Sequence, residues 1–336
     1  IDAEDAYRRG VYIDGGGVPT ITLRALTVQR GKREDQNGAG IYVESAKLRL
    51  QDSTVRYNAN TEGAGGGGLY ARDCIMVLTG NKVHNNNAAG GGGLRVEGTS
   101  QVTISGNQVL SNAAFFNGGL SLGGSTVATV RDNIIQDNFG GEGGGIGVGG
   151  TASVTLSGNT FLGNSTAIDM SRPGGGLLVD GGTVVATGNH FEENSAFDGA
   201  GIYVDNPDAS VTLSENTFVH NHASIDGGKG GALFVNHGTV LVQGNTIQHN
   251  DAAGGGGIHI EGETVTLHGN LILGNTAFFG GALSVGGAVV HLTGNTFQDN
   301  FGGQGGGILI WEGAGTVQMS GNAFYGNGSN VDQGPG

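Results

Sequence analysis

The sequence predicts an all-β fold, a right-handed parallel β-helix of about 12 turns of 25–30 residues arranged as two six-turn units, on three observations. Glycine fills 71 of 336 positions and charged residues only 13%. That much glycine disfavours helices almost throughout, since each interior helical Gly costs about 1 kcal/mol relative to Ala. Apolar residues, 37% of the chain, recur in short alternating runs such as Ile146 and Val148, then Val154 and Leu156. Alternation is the period of a strand with one buried face. Finally, a motif G-N-x-Φ-x-x-N returns at steps of 26, 26, 26, 30, 27, 29, 25, 25 and 27 residues. Each turn then holds about three strands. A leucine-rich repeat would want more Leu and a helical return, and a left-handed hexapeptide helix would show a six-residue pattern.

Each element follows from its residues. Residues 1–9 (IDAEDAYRR) form at best a short polar cap. Residues 10–31 and 38–62 carry the strand plan without the GN signature and make two looser turns. Ten full turns follow, marked by Asn81, Asn107, Asn133, Asn159, Asn189, Asn216, Asn245, Asn270, Asn295 and Asn322. Two residues after each comes an apolar side chain, from Val83 to Phe324, and five residues after each comes a second Asn, from Asn86 to Asn327. The apolar columns stack at the strand spacing of ~4.8 Å into a dry core. The Asn columns sit where the chain bends, their carboxamides bonding turn backbone and one another. AAGGGGLRVEG at Ala88 recurs as AAGGGGIHIEG at Ala252, NFGGEGGG at Asn138 as NFGGQGGG at Asn300, and GAGIYV at Gly38 again at Gly199. One β-helix domain over 1–336 is therefore read as six turns in 10–173, six in 174–329 and a tail, 330–336.

Charge excludes several functions. The formal net charge is -14, and residues 83–336 hold only Arg95, Arg131, Arg172 and Lys229 as fixed cations. A nucleic-acid binder needs the opposite. No apolar run approaches the ~18–20 residues of a membrane span, so membrane insertion is not expected. The single Cys74 makes no internal disulfide and says nothing of redox compartment.

At the motif level the chain resembles the polymorphic outer-membrane-protein repeat, defined by GGA[ILV] and FxxN. GGAL stands at 230–233 and 280–283, with GGGI or GGGL elsewhere. FxxN stands at 161–164, 191–194, 218–221, 297–300 and 324–327. The resemblance covers about residues 10–329 and implies a bacterial surface β-helix, an adhesin or envelope structure. Its motifs are scaffold motifs and carry no catalytic residue across.

Sites for chemistry are few. A lyase-like cleft would need basic residues, which cluster only at Arg24, Lys47, Arg49, Arg56 and Arg72. A hydrolase needs paired carboxylates. Its usual signatures are absent, Asn236-His237-Gly238 being the nearest fragment. The calcium nonapeptide is approached at Gly140 and Gly227 without its liganding Asp. Glu193, His220 and His249 share a column in three successive turns, a weak candidate metal set. No cofactor is expected. Phe115, Phe116, Phe278 and Phe279, with Phe139, Phe197 and Phe301, either face out as a contact or sugar-stacking stripe or fold back over the core corner; Trp311 faces outward in the last turn. The leading expectation is a non-enzymatic extracellular or bacterial cell-surface protein, an adhesin passenger or filament subunit. It would self-associate end to end through uncapped strand edges, or continue into a longer parent chain, with surface glycans as further partners. The alternative is a polysaccharide-binding or polysaccharide-cleaving β-helix enzyme using the N-terminal basic face.

Overall fold

The computed structural model describes residues 1–4, 7–16, 20–60, 62–167 and 171–329; the predicted tail, 330–336, lies outside them. The chain is an all-β right-handed parallel β-helix of about 12 turns, with no helix among the described residues. It falls into two compact units, Ile1–Ser165 and Thr166–Gly336.

In the first unit a representative turn runs Leu94–Glu97, Gln101–Ser105, Gln108–Leu110 and Ala113–Phe116. That is four strands where about three were expected, because the connection after the second Asn opens with a strand of its own before the glycines. The first two strands share one sheet, so a turn still has three faces. Pairing is parallel and in register: Val102 lies between Met76 and Ala128, and Ile104 between Leu78 and Val130. The second unit repeats the plan, with Val265 between Val240 and Val290. Phe191 and Phe218 stack there at 4.8 Å and 9°. Burying one such ring contributes about 1.5–3 kcal/mol.

The bends explain the Asn columns. The residue before each Asn is left-handed: Gly106 at φ 63° and Asp132 at 56° before the first column, Ser111 at 49° and Glu193 at 53° before the second. Such a residue turns one strand into the next, and the Asn then points inward. Asn107 donates from N and Nδ2 to Asn133 Oδ1 at 2.8 and 3.0 Å, and from Nδ2 to the Leu78 carbonyl at 2.9 Å. In the second unit Asn245 treats Asn270 and Leu213 likewise. The ladder thus satisfies the buried backbone at each corner, where an orphan group would cost about 1–3 kcal/mol. It reaches further back than the GN signature: Asn58 joins the second column through Asn86, and Ser53 stands in the first by accepting from Leu26 N. At the N-terminus Asp2 bridges to Gln29 and pairs with Arg30.

Candidate functional site

With the core and the Asn columns fixing the register, chemistry is confined to the outward positions of each strand and to the Gly-rich lead. In the second unit these meet in a pocket of about 440 Å³ lined by Lys229, His259, Glu261, Phe279 and Trp311, with Gly254 among its floor residues. His259 lies on the strand Ile258–Ile260 and Glu261 directly after its end, on either side of the inward Ile260, so alternation puts both outside. Lys229 comes from the lead of the preceding turn, where it bridges to Gly254.

The pocket's hydrogen bonds are lopsided. Lys229 Nζ donates to Glu261 Oε1 at 2.5 Å, and His259 Nε2 reaches the same oxygen at 3.3 Å. Glu261 Oε2 has no hydrogen-bond partner among the described residues. The bond from His259, reinforced by Lys229, holds the Glu261 carboxyl down to about 2. Burial lowers the pKa of His259, only 4% exposed, so the ring is neutral with Nε2–H donating to the carboxylate. Its Nδ1 is left without a partner. Behind Lys229, Asp198 Oδ1 accepts from the Lys229 backbone N–H at 2.8 Å, and burial pushes that carboxyl up to about 6. On the other side Phe279 and Trp311 lie 5.2 Å apart at 59°, both over a third exposed. Trp311 Nε1 donates to Ser284 Oγ at 2.9 Å and fixes the indole.

The first unit has a counterpart groove of about 850 Å³ lined by Asn60, Arg95, Phe115, Phe116 and Phe139. Arg95 occupies the place of His259, Glu97 that of Glu261 and Phe116 that of Phe279 in the doubled motif. Here each carboxylate oxygen is taken: Arg95 Nε donates to Oε2 at 2.9 Å and the Tyr70 hydroxyl donates to Oε1.

The residues singled out from the sequence fall as follows. The Asn columns are structural throughout. Phe115, Phe116, Phe278 and Phe279 face outward rather than over the core, exposed by 57%, 44%, 57% and 37%. Trp311 is outward as expected, and its neighbour Ile310, which alternation along the strand would turn inward, is 43% exposed. The Glu193, His220 and His249 set does not make a metal centre. The two imidazoles stack face to face at 5.6 Å and 17°, which aims their nitrogens side by side rather than at one point. No group of three His, Cys, Asp or Glu able to hold a metal occurs among the described residues. All three occupy the left-handed bend position, φ 52–54°, and that is the column's role. Of the N-terminal basic face, Arg24 is paired with Asp52 at 3.1 Å and Arg72 with Asp73 at 3.4 Å. The aromatic-lined pockets lie elsewhere, at Arg95 and Lys229. Asn236 and His237 both bond Asp205 Oδ1, a turn-holding arrangement. Sequence reading missed Lys229, His259 and Glu261 as a group. The signal was the doubled motif itself, in which RVE and HIE exchange Val for Ile at the inward position and Arg for His at the outward one.

The sequence matches the family described as right handed beta helix region over residues 9–196, 141–226 and 173–324. Among solved structures it is similar to the crystal structure of the periplasmic alginate epimerase AlgG, with 15% identity over 88% of this chain and 76% of that one, at a TM-score of 0.48. No curated protein matches it. The solved structure is of an enzyme acting on a polysaccharide, and the expectation of a non-enzymatic adhesin passenger or filament subunit is corrected accordingly. The pocket with a carboxylate and aromatic faces together lies in the second unit, not on the N-terminal basic face expected for a polysaccharide-acting protein. By the span of the family match, the chain belongs to the right-handed β-helix family.

Proposed function

We propose that the protein binds a polysaccharide in the second-unit pocket and cleaves it there. One observation carries the reading: an exposed aromatic pair, Phe279 and Trp311, shares a pocket with a carboxylate held ionised and left with one free oxygen, Glu261 Oε2. Flat aromatic faces suit the apolar face of a sugar ring. An ionised carboxylate beside that ring stabilises the positive charge that develops as the glycosidic C–O bond breaks. Water adds to the anomeric carbon, and the proton released by that water passes to the leaving sugar oxygen. Glu261 supplies one of the two carboxyl roles, and no second carboxylate lines the pocket among the described residues. Lys229 and His259 are positioning residues that keep Glu261 ionised and oriented. The chain's net charge of -14 favours an uncharged glycan in this pocket. The GGAL and FxxN motifs support a repeat of the polymorphic outer-membrane-protein type and an extracellular or cell-surface setting, where such glycans are met.

Trp311 is the only tryptophan, so emission excited selectively from tryptophan rather than from the seven tyrosines reports on this site. A panel of neutral and acidic polysaccharides is titrated while fluorescence and newly formed reducing ends are followed. At least one glycan shifts the emission and is cut, and Glu261→Gln abolishes the cutting but keeps the shift. A panel that leaves Trp311 emission unchanged throughout overturns the reading.

A further inference from the structure

We infer that the groove of the first unit is a separate, non-catalytic binding site selective for carboxylated sugars, with Arg95 as the recognising residue. The inference stands on first-unit residues and does not need the second-unit pocket to act. Arg95 spends only its Nε on Glu97; its two terminal nitrogens make no hydrogen bond among the described residues. The guanidinium lies over Gly65 and Gly90, where an added Cβ would come within 2.8 and 2.9 Å of Nη1. Only glycine at both places leaves room for the fork to lie there. A planar fork with two unspent nitrogens matches a carboxylate bidentately, which an ammonium does not.

A second observation points to the same ligand. Asn60 lines the groove and is 4% exposed; its Nδ2 donates to the Gly65 carbonyl at 2.8 Å, while its Oδ1 lacks a partner among the described residues. A buried acceptor left open beside a groove suits a hydroxyl donor. Phe115, Phe116 and Phe139 stand exposed along the other side, the first two edge to face at 4.7 Å. Carboxylate, hydroxyl and an apolar ring face together describe a uronic acid. Glu97 has a hydrogen-bond donor on each oxygen, so it offers no unpartnered oxygen as a reacting group, and the site binds without cleaving.

The test is calorimetric titration of the full chain with a galacturonate tetramer, its methyl ester and cellotetraose. The acid binds; the ester and the neutral tetramer bind at least about tenfold more weakly, and the binding falls with salt. Arg95→Gln costs about tenfold or more, and Arg95→Lys, which keeps the charge but not the fork, recovers only part of it. The double variant F115A/F116A weakens acid and ester alike. Circular dichroism confirms that each variant keeps its β content. Equal binding of acid and ester, or undiminished binding by Arg95→Gln, overturns the inference. So does acid binding that disappears in Trp311→Phe, which would place it in the second-unit pocket. Preference for a peptide C-terminal carboxylate over the galacturonate tetramer would also overturn it.

Discussion

The two grooves are built from the same strand positions, yet they leave opposite residues unspent. In the first unit Glu97 has a partner on each oxygen, Arg95 on one and the Tyr70 hydroxyl on the other, and the guanidinium keeps its two terminal nitrogens unspent. In the second unit Lys229 and His259 converge on a single oxygen of Glu261, and the carboxylate keeps the other free. The change turns on three side chains. Arg95 becomes His259 on the strand, the cation moves to Lys229 where the first unit has Gly65, and Tyr70 becomes Phe234, which has no hydroxyl to give. The backbone barely participates: Gly65 and Lys229 make equivalent bridges to Gly90 and Gly254. One scaffold position can thus present a cation or an anion, because the core and the Asn ladder carry the fold without it.

The largest effect expected from breaking this contrast is at Glu261. Glu261→Gln lowers turnover by about 10²-fold or more while Trp311 fluorescence still reports binding. A subtler version imports the first unit's arrangement. In Phe234→Tyr, the new hydroxyl stands one turn below Glu261, as Tyr70 stands below Glu97, and caps the free oxygen. Turnover falls about tenfold with binding retained, roughly the worth of one charge-assisted hydrogen bond. Unchanged turnover in both variants would show that Glu261 Oε2 is not the reacting group. Next in size is the aromatic platform. Phe279→Ala weakens glycan affinity about three- to tenfold, read from the Trp311 titration, with turnover at saturation little changed.

Much of this was legible in the sequence, and the boundary has a physical cause. Register is written by residues with one permitted environment. An inward Phe161 or a corner Asn112 must recur every turn or leave a cavity or an orphan amide. The left-handed bends recur for the same reason. The column holding His220 and His249 has Gly, Asn or Asp in six of its ten places, the types that favour left-handed backbone, and only the run Glu193, His220, His249 looked like a ligand set. Outward residues have no such constraint. Nothing in HIE says that His259 will be 4% exposed. Its burial comes from Phe234 one turn below, edge-on at 5.1 Å, and from the Lys229 lead beside it. The pairing of Glu261 with Lys229, 32 residues earlier, likewise depends on the length of the intervening turn. The Phe pairs could be placed at a corner from their position after the second Asn. Their exposure could not, because the Gly-rich lead that follows is too narrow to cover a ring, and glycine count alone does not reveal that.

The smallest effect sharpens the comparison through stability. Asp198 in the second unit and Asn37 in the first do the same work, each accepting a backbone N–H, from Lys229 at 2.8 Å and Gly65 at 2.7 Å. Only Asp198 can carry charge, and burial raises its carboxyl to about 6. A raised folded-state value means that the native protein holds a proton the unfolded chain has already lost between about pH 4 and 6. The associated stability is complete below about pH 4 and is lost as pH rises through about 6. Asp198→Asn keeps the acceptor and removes the charge. At pH 8 it stabilises the fold by on the order of 1 kcal/mol after allowance for the group's partial exposure, seen as a higher melting temperature; at pH 4 it changes nothing. Asn37→Asp does the reverse in the first unit, introducing a penalty at pH 8 that disappears at pH 4. Thermal melts of both variants at the two pH values decide it. A pH-independent effect of Asp198→Asn would mean that Asp198 is ionised in place at no cost, and that the two acceptors differ by more than their charge.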